Sequence, residues 1–147
     1  MSSVTDLGNG IYQIDVHEMA VAKKTCAYLI INGKATLVET GTTSGLKYLL
    51  SAFEFLNLGF TDIENIIVTH VHLDHCGAAG VLLRQLPNAR VWVHPRGARH
   101  LIDPSRLISG TKLLYGELYN DYFGEVVNVP EERVYTPADG EKLNLGD

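Results

Sequence analysis

Cysteine, tryptophan and long apolar runs are scarce in this sequence of 147 residues. Its two cysteines, Cys26 and Cys76, are too few for a disulfide framework. No apolar stretch approaches the roughly 18 residues of a membrane span, so we expect no membrane partner. Lysine and arginine form no runs and the formal net charge is −5 at pH 7. This charge argues against a nucleic-acid partner, because binding phosphate requires a basic surface.

The remaining composition is that of a globular protein. Hydrophobic residues make up 46% and charged residues 20% of the chain, which is enough apolar content for one domain with a buried core. Residues 1–6 lack the basic segment and apolar stretch of a signal peptide. We therefore expect a location in the cytoplasm.

Periodicity predicts the local elements of the chain. Alternating apolar and polar residues indicate a strand at 10–16. Strands at 27–31 and 35–38 flank Asn32-Gly33, a strong hairpin signal. Residues 42–57 carry an apolar stripe at helical spacing, which is typical of a helix packed on a core. The further predicted elements are a strand at 66–69, helices at 77–86, 95–101 and 108–122, and strands at 91–94 and 133–135.

The segment 69–77 is the most informative part of the chain, because it follows an apolar strand and concentrates polar side chains. Four potential ligands, here called the His-Asp motif, lie within six positions: His70, His72, Asp74 and His75. On an extended backbone, alternate side chains share a face. This geometry predicts that His70, His72 and Asp74 converge and that His75 points elsewhere. The four residues would then serve two neighbouring metal ions.

The donor chemistry of the His-Asp motif agrees with a metal site. Imidazole and carboxylate groups suit Zn²⁺, Fe or Mn better than soft Cu(I). The alternative interpretation is a polar loop without a metal. Four donors at this spacing directly after a buried strand favour the metal site, with one or two divalent ions and Zn²⁺ as the first choice.

The His-x-His-x-Asp-His pattern after a hydrophobic strand resembles the signature of the metallo-β-lactamase-fold hydrolases. The flanking sequence is similar as well. Residues 37–41 resemble the turn that precedes the first long helix in that superfamily, and residues 91–98 resemble a strand found in one poorly characterised branch. The family commonly has Asp where this chain has Glu39. We place this longer carboxylate outside the ligand set, as a group that supports a ligand or the turn.

The resemblance implies a fold and an activity. It implies an α/β chain that forms half of an αββα sandwich, with a mixed sheet and helices on its outer face. The implied activity is hydrolysis, in which a metal-bound hydroxide attacks a small-molecule ester, thioester, lactone, lactam or phosphoester. His70 and His72 would bind the first metal, and Asp74 and His75 the second. Asp74 would also act in catalysis by orienting the nucleophile or accepting its proton.

Two other functions stay open on the same residues. One is oxygen chemistry, as in an iron-dependent oxygenase or an oxygen-reactive diiron protein of this fold. The other is a non-catalytic metal-binding module, although structural zinc sites are usually closed tetrahedra rich in cysteine.

The resemblance also implies further ligands that this chain lacks. Family members carry two more His and a bridging Asp further along, whereas no His follows His100 here. We therefore expect residues 1–147 to be the N-terminal half of a longer domain. We also expect this half to form a homo-oligomer or to associate with the missing C-terminal half, with little or no activity of its own.

Several weaker candidates lie outside the motif. His94 ends a predicted strand and is a candidate substrate contact. Cys76 adjoins the motif, and we interpret it as a small packing residue rather than a soft ligand. His17 is expected to be exposed, with a place at the pocket mouth as the alternative, and His100 to lie at the surface or to be paired with a neighbouring side chain. The aromatic residues between 115 and 123 are expected to pack in the core, with a hydrophobic substrate wall as the alternative.

Overall fold

The computed structural model describes residues 3–146, so Met1, Ser2 and Asp147 lie outside the described residues. A single mixed sheet of seven strands runs through the chain, and the strands lie side by side in sequence order. The strands are Val4–Gly8 (β1), Ile11–Asp15 (β2), Cys26–Asn32 (β3), Lys34–Val38 (β4), Ile63–Ile67 (β5), Arg90–Trp92 (β6) and Val134–Tyr135 (β7). The helices are Leu46–Phe55 (α1), Leu73–Cys76 (α2), Ala79–Leu83 (α3), Pro95–Ile102 (α4), Ser105–Tyr115 (α5) and Tyr119–Phe123 (α6).

The sheet changes direction at β4. Strands β1 to β4 pair antiparallel, and the Asn32-Gly33 turn joins β3 to β4 as the sequence predicts. From β4 to β7 every pair is parallel. Parallel neighbours require a crossover, and α1 supplies the first one. The α/β class expected from the resemblance is therefore confirmed.

The core lies between the sheet and its helices. The apolar stripe of α1 contributes Leu49 and Phe53, which are buried, as expected for a helix packed on a core. Strand β4 is buried on both faces from Ala35 to Leu37, as is typical of a central strand. A Cβ at Gly80 of α3 would collide with the carbonyl oxygen of Val127. Small residues thus let α3 pack closely, as the sequence predicts.

Strand β1 and the predicted helix over 108–122 differ from the sequence expectations. Strand β1 carries no recognisable pattern, because four of its five residues are exposed on the edge of the sheet. The predicted helix over 108–122 is divided into α5 and α6. Gly116 has a positive φ of 55° and ends α5, and a 3₁₀ turn follows at Gly116–Leu118. Among the helices of residues 3–146, none has both the length and the apolar character needed to cross a bilayer.

Parallel pairing brings the ends of β4 and β5 to one edge of the sheet. Val38 lies opposite Ile67 in the register. The next amide, that of Glu39, donates to the carbonyl of Ile67 at 2.9 Å. The turn after β4 and the loop that carries the His-Asp motif therefore leave the sheet side by side, as expected for ligand-binding loops in open α/β sheets.

Arg133, directly before β7, ties that edge strand to the region after α3. Its guanidinium donates to the carbonyls of Leu83 (3.0 Å), Leu86 and Ala89 (2.9 Å from Nε). Carbonyls at the end of a helix have no partner within the helix. One cation thus adds a charged donor to three carbonyls, two of which, those of Leu83 and Leu86, also accept from backbone amides at 3.3 Å.

Replacing Arg133 with Met tests this role. The substitution keeps most of the side-chain volume but removes every donor, so three carbonyls of buried residues lose a charged partner. We expect the free energy of unfolding in urea to fall by about 2 kcal/mol. The control is Arg84→Met, because Arg84 is exposed and lies 3.9 Å from Glu125; it should change stability by less than about 0.5 kcal/mol. Equal denaturation midpoints for the two variants would contradict the assignment.

Candidate metal centre

The chain turns into a helix within the His-Asp motif. The sequence predicts an extended backbone there, with alternate residues on one face. Instead, α2 begins at Leu73, and the amide of His75 donates to the carbonyl of His72 at 2.9 Å. The prediction that Asp74 shares a strand face with His70 is therefore wrong, because Asp74 stands on the first turn of a helix.

The start of α2 nevertheless brings the four motif side chains together. The ring centroid of His70 lies 4.9 Å from that of His72 and 4.2 Å from that of His75. Asp74 Oδ2 lies 3.3 Å from His75 Nε2. The prediction that His75 points away from its neighbours is wrong for the same reason, since the helical turn directs its ring back towards His70.

The turn after β4, here called the β4 turn (residues 39–41), holds this loop in place. Glu39 Oε1 accepts a hydrogen bond from the amide of Thr69 at 2.7 Å. The amide of Thr40 donates to the carbonyl of His75 at 2.8 Å. Glu39 itself has φ 66°, a conformation that non-glycine residues rarely adopt. Such strain persists only where surrounding contacts hold it and is often found at functional sites.

Glu39 also has a buried oxygen without a hydrogen bond. Its side chain is buried, and Oε2 lies 2.5 Å from His75 Nδ1. Oε2 has no hydrogen-bond partner among residues 3–146, so its charge is compensated only by a proton on Nδ1 of His75 or by a bound cation. An unsatisfied buried carboxylate oxygen is costly, and a bound cation would remove the cost. The residues present therefore fit a divalent metal.

The geometry extends the set of candidate ligands. Ligand atoms of Glu39, His70 and His75 all lie within 4.8 Å of one another, an arrangement suited to one ion. Sequence reasoning places Glu39 outside the ligand set, because the family pattern gives that position a supporting role. The structure brings its carboxylate into direct contact with the ring of His75.

The ring of His75 lies between two carboxylates. Its Nδ1 is near Glu39 and its Nε2 is near Asp74. A neutral imidazole has one donor and one acceptor nitrogen. One of the two carboxylate contacts therefore lacks a proton unless the ring is charged. If a metal ion replaced one of the two carboxylates as the partner of a ring nitrogen, both nitrogens would have a suitable partner while the ring stayed neutral.

Cys76 lies beneath the loop and is 4% exposed. Burial, together with the nearby carboxylates of Glu39 and Asp74, raises the pKa of its thiol to about 12. A thiol with so high a pKa is protonated at neutral pH and is a poor ligand. Its burial agrees with the interpretation of Cys76 as a small packing residue.

A cleft of about 320 Å³ opens beside the motif. His72 and Asp74 lie at its edge, and its apolar wall consists of Met19, Val71, Leu107, Leu114, Tyr115 and Phe123. Tyr119 and Phe123 are buried in the core. The aromatic segment thus packs as expected, while Tyr115 and Phe123 also contribute to the cleft. No pattern in the sequence distinguishes Leu107 and Leu114 from core residues, which is why sequence reasoning missed them.

The other three histidines lie apart from the motif. His94 caps α4, where its Nδ1 accepts from the amide of Arg96 at 3.1 Å, and it does not line the cleft. Its contact with a substrate stays a prediction. The ring of His17 stacks on Tyr48 with 3.9 Å between centroids. His100 is half-buried on α4 and accepts from Arg99 at 3.4 Å.

Two curated proteins resemble this chain in sequence. A probable metallo-hydrolase of Methanocaldococcus jannaschii, MJ0888, is 30% identical over 106 residues, which is 72% of this chain and 45% of the relative. A metallo-beta-lactamase fold-containing protein of Sulfurisphaera tokodaii, ST1585, is 24% identical over 140 residues, 93% of this chain and 51% of the relative. The chain thus spans about half the length of the curated relatives it matches.

Solved structures agree at the level of the fold. The subclass B3 metallo-beta-lactamase MEM-A1, isolated from a soil metagenome library, superposes with a TM-score of 0.70 at 22% identity, over 97% of this chain and 48% of that one. The model of the metallo-beta-lactamase superfamily matches residues 24–144, most of the chain, including the His-Asp motif and the β4 turn. The chain therefore belongs to the metallo-beta-lactamase superfamily.

Proposed function

We propose that this chain supplies the metal-binding first half of a metal-dependent hydrolase. One observation carries the proposal: the four side chains of the His-Asp motif converge beside Glu39, whose buried Oε2 has no hydrogen-bond partner in the part of the chain that the structure describes. A free-standing polar loop gains nothing from this arrangement. Family membership supports the same conclusion.

The family resemblance supports the proposed ligand assignment. His70 and His72 would hold one divalent ion, and Asp74 and His75 a second one, with Zn²⁺ preferred and Fe or Mn as substitutes. Glu39 lies close enough to His75 to orient its ring or to replace a ligand. When bound, a divalent cation acts as a Lewis acid and lowers the pKa of a coordinated water towards 7.

The protein side chains position and deprotonate the nucleophile. Asp74 stands at the edge of the cleft with its carboxylate about one-third exposed. There it can accept a proton from an attacking water and orient that water towards the substrate. Glu39 and the β4 turn hold the loop, so the ligands need little rearrangement when a substrate binds. The substrates we propose are small molecules with an ester, thioester, lactone, lactam or phosphoester bond.

Metal content tests the ligand assignment. We expect His72→Ala and Asp74→Ala each to weaken zinc binding more than tenfold, because each removes one donor from a small set of proposed ligands. The measurement is elemental analysis after dialysis against buffered zinc. His94→Asn is the matched control, because asparagine can still cap α4 without an imidazole. Wild-type stoichiometry in both Ala variants would show that the motif is not the metal site.

Activity distinguishes hydrolysis from the two alternative functions. In a polypeptide that also carries the second half of the domain, the zinc form should hydrolyse at least one activated ester, lactone or phosphodiester. Metal removal should abolish turnover, and zinc should restore it. Oxygen consumption by the iron form alone would support an oxygenase instead. Unfolding on metal removal, with no turnover in any form, would support a structural metal module.

We further propose that the chain associates, either with itself or with a polypeptide that supplies the second half. Phe55 and Leu118 are 63% and 50% exposed, and exposed apolar side chains of this kind often mark association surfaces. Light scattering at micromolar concentration should give a mass above 16.2 kDa, with partial zinc occupancy and little turnover. A stable monomer with full occupancy and strong turnover would contradict this proposal.

A further inference from the structure

The residues that line the cleft beside the motif restrict the chemical class of group that the cleft can bind. We propose that it binds an uncharged apolar substituent of the substrate, such as an alkyl or aryl chain, next to the bond that is cleaved. The inference rests on the proposed function, because it gives the substrate of that site a chemical class. It selects neutral apolar esters, thioesters and lactones over charged substrates.

Helix α5 provides one wall of the cleft. Leu107, Thr111, Leu114 and Tyr115 all line it, and their spacing places them on one face of a helix. The helix has no fully buried residue, and Leu114 is 83% exposed. Leu107 and Tyr115 pack partly against the core, whereas Leu114 leaves most of its side chain free to line the space that leads to the motif.

The aromatic part of the wall is held in place by its own packing. Tyr115 lies edge-on to Phe123 with 5.0 Å between ring centroids and edge-on to Tyr122 at 6.0 Å. Such pairs stabilise one another beyond the area they bury. Phe123 is 4% exposed, so the inner end of this wall is fixed. A rigid apolar wall binds an apolar group without a large ordering cost.

Charge in the cleft disfavours an anionic substituent. The described residues that line it include two carboxylates, those of Glu18 and Asp74, and no lysine or arginine. Glu18 is already paired, because Lys24 Nζ lies 3.2 Å from its Oε1 and the Thr25 hydroxyl donates to Oε2. Along the apolar wall, away from the metal that Asp74 would hold, a negative group on the substrate would lose its hydration without meeting a lysine or arginine of the lining, which costs affinity.

The size of the cleft fits part of a small molecule. Its volume of about 320 Å³ lies at the lower end of the range of small-molecule sites, roughly 300–1,000 Å³. Because His72 and Asp74 also line the cleft, one molecule of moderate length could place its reacting bond at the metal site and its apolar group in the cleft.

Alkyl hydroxamates test the proposal, because the head group binds zinc and the chain length varies independently. Calorimetry on the zinc-loaded chain would compare acetohydroxamate, hexanohydroxamate and octanohydroxamate. We expect affinity to rise by up to about fourfold for each methylene that is buried, until the cleft is filled. Suberic monohydroxamate, which has a carboxylate at the far end of a similar chain, should lose most of that gain.

Two neighbouring leucines give a matched pair of variants. Leu114 lines the cleft and Leu113 does not, yet both are more than four-fifths exposed on α5. Leu114→Thr should weaken octanohydroxamate binding at least threefold and leave acetohydroxamate binding unchanged. Leu113→Thr should alter neither affinity. Light scattering on both variants checks that their assembly state is the same.

The outcomes separate this inference from the proposed function. The apolar subsite is supported if hydroxamate affinity rises with chain length and if only Leu114→Thr reduces that rise. Equal affinity for short and long chains, with zinc-dependent binding intact, overturns the subsite and leaves the metal site standing. Equal losses in the two leucine variants also overturn it. Absence of zinc-dependent binding for every hydroxamate overturns the proposed function, and with it the inference.

Discussion

The candidate metal centre depends on the contacts that the carboxylate of Glu39 makes. Its Oε1 accepts from the amide of Thr69, and its Oε2 lies against His75. One side chain thus contacts the motif loop at both ends. Since Glu39 follows β4 and the loop follows β5, the contact exists only because the two strands run parallel and end at the same edge. The parallel pairing of β4 and β5 therefore also positions the candidate metal centre.

The same buried carboxylate connects stability with function. A backbone in a left-handed conformation and an oxygen without a hydrogen bond both cost folding free energy. The hydrogen bonds of the β4 turn offset part of that cost. A cation bound among Glu39 and the histidines would offset the rest, so metal binding should stabilise the fold as well as supply reactivity.

Much of the fold could be predicted from the sequence because its signals are local. The Asn32-Gly33 turn, the apolar stripe of α1 and the His-Asp motif each depend on residues close together in the chain. The position where the loop becomes helical could not be predicted, because α2 starts without a side-chain cap. The closeness of Glu39 to His75 could not be predicted either, since it arises from a contact between residues 36 positions apart. The cleft walls have no local signal, because Leu114 has the same local pattern as a buried leucine.

The central claim is that the His-Asp motif binds metal, and the imidazole rings report on this directly. The chain has six histidines, and nitrogen-15 correlation spectra can follow each ring during a zinc titration. The account predicts large shifts at the ring nitrogens of His70, His72 and His75, while His17, His94 and His100 remain unchanged. Shifts confined to the second group, or no shift at any ring under saturating zinc, would contradict it.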